Sequence, residues 1–132
     1  MKEKERKDFA KHYIETAEKR LEAARLLLES NYFDDAINRI YYAMLYTIKA
    51  LLLMTQYRER DDEDEDLIRD LFFSRLETFP KLRKYAKTFD QLHFQRKLID
   101  LTAMSFIDYN DVEDVLEQTE EFISEIREIF NL

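Results

Sequence analysis

From Phe9 to Glu29 apolar side chains return every three or four residues, at Phe9, Tyr13, Ala17, Leu21, Ala24 and Leu28, which draws one stripe down a helix. Ser30 and Asn31 interrupt it, and asparagine takes the left-handed conformation at a helix end more readily than most residues. Asp34 stands where it can cap a second helix, expected from about Asp34 to Gln56. Between Ile40 and Met54 the sole charge is Lys49, so most of this helix's circumference should be buried and it should be the central one. Tyr57 to Asp66 is charged throughout and reads as a solvated loop whose last acids sit at the positive end of a third helix, Leu67 to Glu77. Pro80 opens a fourth helix that should reach about Ala103, with Leu92, Leu98 and Leu101 facing inwards. After a break near Phe106, Asn110 and Glu113 have capping-box spacing ahead of Val112, Val115, Leu116, Thr119, Phe122, Ile123, Ile126, Ile129 and Phe130.

Long amphipathic helices joined by short connections run antiparallel to their neighbours. The expected fold is therefore all-α, an antiparallel up-down bundle of four to five helices, forming a single domain over residues 1–132. Composition agrees: with no Gly and only one Pro, tight glycine turns are ruled out and long helices are favoured. A membrane span is not expected, because Lys49 and three tyrosines interrupt the most apolar helix well short of the roughly 20 apolar residues a bilayer requires. The first residues mix acids and bases without an apolar core, unlike a signal peptide, so a cytoplasmic location is expected.

Charge changes the picture once. The formal net charge is −8, but Asp61 to Asp66 is an unbroken run of six acids, and setting it aside leaves −2. RNA contact on one face is therefore compatible with the composition. The run lacks the spaced ligands and glycine turn of a calcium loop, and it is expected to be solvated along its whole length.

Conventional catalytic constellations are missing. Cysteine is absent, His12 and His93 lie far apart, and no phosphate-cradling glycine loop is possible, so neither a metal nor a cofactor is implied. What remains is a polar stripe on the central helix, where Arg39, Tyr42 and Tyr46 stand at i, i+3 and i+7 and share a face. A guanidinium there needs either an anionic partner or a hydrated cleft. Asp108 and Tyr109, at the start of the last helix, are candidate partners for a structural ion pair; the same residues serve equally as the far wall of a binding cleft.

The segment Asn38-Arg39-Ile40-Tyr41-Tyr42-Ala43, preceded by Asn31-Tyr32-Phe33-Asp34-Asp35-Ala36 and followed downstream by Asp108-Tyr109-Asn110-Asp111, resembles a HEPN domain. More narrowly, it is similar to the small stand-alone prokaryotic type (UPF0332-like), over about Ala17 to Ile129. That resemblance implies a dimerising bundle associated with RNA or nucleotides, often partnered with a minimal nucleotidyltransferase in toxin–antitoxin modules. Active relatives are metal-independent ribonucleases that join an Arg and a nearby His from each protomer, the His moving protons and the Arg stabilising charge on the phosphate. Here Arg39 matches the Arg, but Tyr46 stands where relatives often place His, and a tyrosine ordinarily titrates near 10. The Arg that often precedes Asp-Tyr is replaced by Ala103, Met104 and Ser105. The expectation is a catalytically degenerate HEPN binding module whose cleft is formed by Arg39, Tyr42, Tyr46, Asp108 and Tyr109. The alternative is an active ribonuclease using Arg39 with Tyr46, or with His93. A homodimer is expected also from the surplus of Phe72, Phe73, Phe79, Phe89, Phe94 and Phe106, more than short helices readily bury in one subunit.

Overall fold

The computed structural model describes residues 2–55, 64–102 and 107–132. They form helices α1 (Glu3–Glu29), α2 (Phe33–Met54), α3 (Glu65–Ser74), α4 (Arg83–Thr102) and α5 (Tyr109–Phe130), with a 3-10 turn over Pro80–Leu82 leading into α4. Among the described residues there is no strand, and no helix is long and apolar enough to cross a membrane. The all-α bundle is as expected. The break near Phe106, and Ala103 to Ser105, lie outside the described residues.

The α1–α2 hairpin is the most extensive seam in the molecule, and its cause is a sequence pattern. Alanine occupies every seventh position on both helices, Ala10, Ala17 and Ala24 on α1 and Ala36, Ala43 and Ala50 on α2, all fully buried. Helix separation depends on the side chains at the contact, so two alanine rows let the backbones approach closely. Ile14, Leu21 and Leu28 fill the space beside the first row. The expected stripe holds at Ala17, Leu21, Ala24 and Leu28, and shifts by one position only at its start, where Phe9 is 49% exposed and Tyr13 half-buried while Ala10 and Ile14 face the core.

The connection between these helices is a Schellman turn. Asn31 has φ 64°, its N–H donates to Leu28 O, and Tyr32 N–H donates to Leu27 O. The chain re-enters a helix so soon that Tyr32, not Asp34, is the residue before α2, and no side chain caps it. At α5 the capping box is also shifted, to Asp108 and Asp111, each carboxylate accepting from the other's backbone N–H at 2.9 and 3.1 Å. Asp64 caps α3, which starts at Glu65 instead of Leu67.

α2 is the central helix, packed on α1, α3, α4 and α5, with α3 running from Tyr41 towards the C-terminal end of α2 at Thr55 and α5 also packing on α1 and α4. Tyr41, Phe72, Phe89, Tyr85 and Phe122 form the aromatic heart of the core, with Tyr85 and Phe122 stacked at 4.8 Å. α4 is inward-facing at Leu92, but among the described residues Leu101 is 84% exposed, contrary to its expected inward position.

Candidate functional site

Because four helices cover α2, the residues past its first turn that retain access to solvent are few: Asn38, Arg39, Tyr42, Tyr46, Lys49 and Met54. Steps of three and four align the middle of this set into one strip. α1 and α4 flank the strip, since Tyr13 of α1 and Arg96 of α4 contact its tyrosines.

Each flank is tied to the strip by aromatic and cationic contacts. Toward α1, Tyr46 stacks on Tyr13 with centroids 6.0 Å apart, and Lys49 Nζ lies 5.5 Å and 5.9 Å from those two rings. Toward α4, Arg96 donates to the Tyr42 hydroxyl at 3.2 Å and its guanidinium covers the Tyr41 and Tyr42 rings at 4.6 Å and 5.2 Å. Glu65, at the start of α3, accepts from Arg96 at 3.2 Å and from the Tyr41 hydroxyl at 2.8 Å. Burial, and then that bond to a carboxylate, push the Tyr41 phenol well above its ordinary pKa. Burial disfavours the Arg96 cation, but the hydrogen bond and charge of Glu65 outweigh it and leave Arg96 more strongly protonated than usual.

Arg39 is different. It is exposed, and among the described residues it forms no side-chain hydrogen bond or salt bridge; none joins it to Asp108. The Asp108 carboxylate caps α5 instead, and Tyr109, raised above its ordinary pKa chiefly by the neighbouring Glu113 carboxylate, meets Phe33 edge-on at 6.5 Å. These two residues therefore sit by the start of α2, next to an open hollow of about 480 Å³ lined by Asn31, Tyr32, Phe33, Asp34, Asp35 and Ile107. Asp35 lies one turn before Arg39, so the strip runs towards that hollow.

His93 lies one turn before Arg96 on α4, its ring 6.1 Å from Tyr41 and 6.3 Å from Phe89, with Nδ1 buried and without a hydrogen-bond partner among the described residues. His12 is exposed on α1, and Arg6 donates to Leu53 O. No group of His, Asp or Glu among the described residues is arranged to hold a metal. The acidic run departs from expectation at one position: Glu65 is engaged in the core-edge network just described, while Asp64 and Asp66 are exposed at the α3 terminus. Asp61 to Glu63 lie outside the described residues.

Arg96 and Glu65 were not recognisable from sequence. Arg96 looks like one more surface base in a charged helix, and only the packing of α4 on α2 brings it to Tyr42. The faint signal was its spacing of three from His93, which puts both on one face.

The family model for the HEPN domain matches residues 10–129. Two proteins of Methanocaldococcus jannaschii, each named as a candidate toxin, are similar over 40 residues, at 58% and 50% identity. The matched stretch is 30% of this chain and spans 27% and 30% of those relatives. With nearly the whole helical bundle matched, and the Arg39-Tyr42 strip at its centre, the chain belongs to the HEPN domain family.

Proposed function

We propose that this chain is a HEPN binding module, catalytically degenerate, whose α2 strip recognises RNA or a nucleotide. The observation that carries the reading is Arg39: an exposed guanidinium without an internal partner among the described residues, at the N-terminal end of the accessible strip of an otherwise buried helix. A structural arginine would be expected to have found an acid. Guanidinium suits phosphate because its planar fork donates two parallel bonds. Tyr42 and Tyr46 on the same face offer ring surfaces for a base, and Tyr32, 59% exposed, offers another in the hollow that it lines with Phe33. Arg96 beside Tyr42 supplies a second guanidinium. Tyr46 in place of a proton-transferring histidine supports binding without cleavage. In this reading the chain acts as a homodimer, in the cytoplasm, as the partner of a minimal nucleotidyltransferase in a toxin–antitoxin-like pair; the toxin naming of its similar proteins supports that setting.

Replacement Arg39→Ala tests it. The variant should melt with the parent, within about 0.5 kcal/mol as for most surface changes, and lose roughly tenfold in affinity for a fluorescent single-stranded RNA or for ATP, the scale of one charge-assisted contact. A variant that keeps both affinities would end the proposal.

His93 favours a second reading, an active ribonuclease. Its unpartnered ring nitrogen stands a turn from Arg96, so one helix offers a proton carrier and a phosphate-binding cation together. Incubating the protein with tRNA and mRNA in EDTA separates the two. Cleavage that disappears in His93→Ala selects the ribonuclease; intact RNA selects the binding module.

A further inference from the structure

Two exposed apolar features lie on faces that the α2 strip does not use, and they are complementary. The first is an open trough of about 520 Å³ between α1 and α5, floored by Leu21 and Ile123, with Leu26 standing 68% exposed in it. Its rim is acidic. Glu18 and Glu120 are paired with Arg127 and Arg25, but Glu22 and Glu29 form no salt bridge among the described residues.

The second feature is the outer row of α4. Phe94 is 66% and Leu101 84% exposed, with Lys97 between them at steps of three and four. Beyond Asp90, which is paired with Arg69, Arg83 and Lys87 continue the same row towards the helix start, where positive charge opposes the helix dipole. These cations therefore do not serve the stability of their own helix, and among the described residues Arg83, Lys87 and Lys97 form no salt bridge. Phe94 and Leu101 are about 10 Å apart along the axis, and the trough runs about 12 Å along α1 from Leu21 to Glu29.

We propose that the Phe94-Lys97-Leu101 row of one copy seats in the α1–α5 trough of another copy. Sign decides the geometry of the contact. Trough against trough would oppose Glu22 and Glu29 with the same acids, and row against row would oppose Lys97 and Lys87 with the same bases. Only trough against row puts apolar surface on apolar surface with lysines beside glutamates. The contact is thus heterologous, each copy offering a donor face and an acceptor face, so it joins copies into rings or chains beyond the homodimer and leaves the α2 strip open.

Leu26→Ser removes the acceptor and Phe94→Ser the donor, and both positions are exposed, so the fold should hold; matched melting curves check that. Fluorescently labelled Phe94→Ser protein is titrated with Leu26→Ser, and each variant with itself. The expected result is that the mixed pair, which restores one intact trough and one intact row, associates at least about tenfold more tightly than either like pair, and that about 0.5 M NaCl weakens it several-fold. Trough-on-trough or row-on-row contact makes one of the like pairs tighter than the mixed pair, and contact through other surfaces gives all pairs equal affinity; either result would overturn the proposal. So would wild-type protein that sediments no differently from the variants at about 100 μM, which would leave the trough to a different chain.

Discussion

Tyr41 and Tyr42 are adjacent in sequence yet live in different environments, because a helix turns each residue about 100° from the last. Tyr41 is fully buried and gives its proton to a hydrogen bond with Glu65, while Tyr42 is half-buried and accepts from Arg96. One consequence concerns pH. The Tyr41 phenol is raised in the folded state, first by burial and then by Glu65. Its neutral form is what the fold stabilises, so the contribution is complete below the unfolded value near 10 and is lost as pH rises towards the folded value. The melting temperature should therefore begin to fall above about pH 10, and Tyr41→Phe should flatten part of that fall in a series of melts from pH 8 to 11. Glu65 gives a second test. Its carboxylate is about a third exposed, so solvent screens the ion pair with Arg96 and discounts its worth. Glu65→Gln should cost on the order of 1 kcal/mol in urea unfolding, whereas Asp66→Asn should cost close to nothing. Equal costs for the two would mean that the Arg96-Glu65-Tyr41 network contributes no stability. A sequence cannot separate Glu65 from its five acidic neighbours, because what distinguishes it is the approach of α4 from a distant part of the chain.

At the scale of elements, the alanine rows explain why α1 and α2 form the largest seam. Ala43 is fully buried between helices that approach closely on account of its size. Ala43→Leu should destabilise by about 1 to 3 kcal/mol or more, since extra methylenes in a packed seam force off-rotamer side chains or push the helices apart. Ala23→Leu, half-buried on α1, is the control and should stay within about 1 kcal/mol; denaturant midpoints for the two variants measure the difference. Helix existence and order were legible from sequence because apolar periodicity survives over twenty or more residues. The ends were less so. Asp34, Asn110 and Leu67 each mark a terminus off by one or two residues, as local capping chemistry has several acceptable solutions and tertiary packing selects among them. Asn31 was an exception, since few residues other than Gly tolerate φ 64°. At the site, Arg39, Tyr42 and Tyr46 could be placed on one face by counting, while Arg96, Glu65 and Tyr13 come from other helices and no periodicity connects them.

The molecule as a whole is electrically lopsided. α5 carries Asp111, Glu113, Asp114, Glu117, Glu120, Glu121, Glu125 and Glu128 against Arg127 alone, while α4 carries Arg83, Lys84, Lys87, Arg96 and Lys97 against Asp90 and Asp100. The −8 net charge therefore says little about the α2 strip, which is flanked by α1 and the basic α4. A polyanion approaching this protein would be repelled by one side and guided to the other. If RNA binds along the strip, about three cations, among them Arg39 and Arg96, neutralise phosphates, and the logarithm of affinity should fall with the logarithm of salt at a slope near −2, from about −0.7 per phosphate for single strands. Arg39→Ala should reduce that slope by somewhat under one as well as weakening binding. Glu117→Gln with Glu128→Gln, on exposed positions of α5, should leave the slope unchanged, because those acids take no part in displacing counterions from the RNA. Fluorescence anisotropy at four or five salt concentrations measures all three proteins. Slopes that change equally for the α5 pair and for Arg39 would mean that RNA responds to total charge, and the strip would lose its claim to be the binding surface.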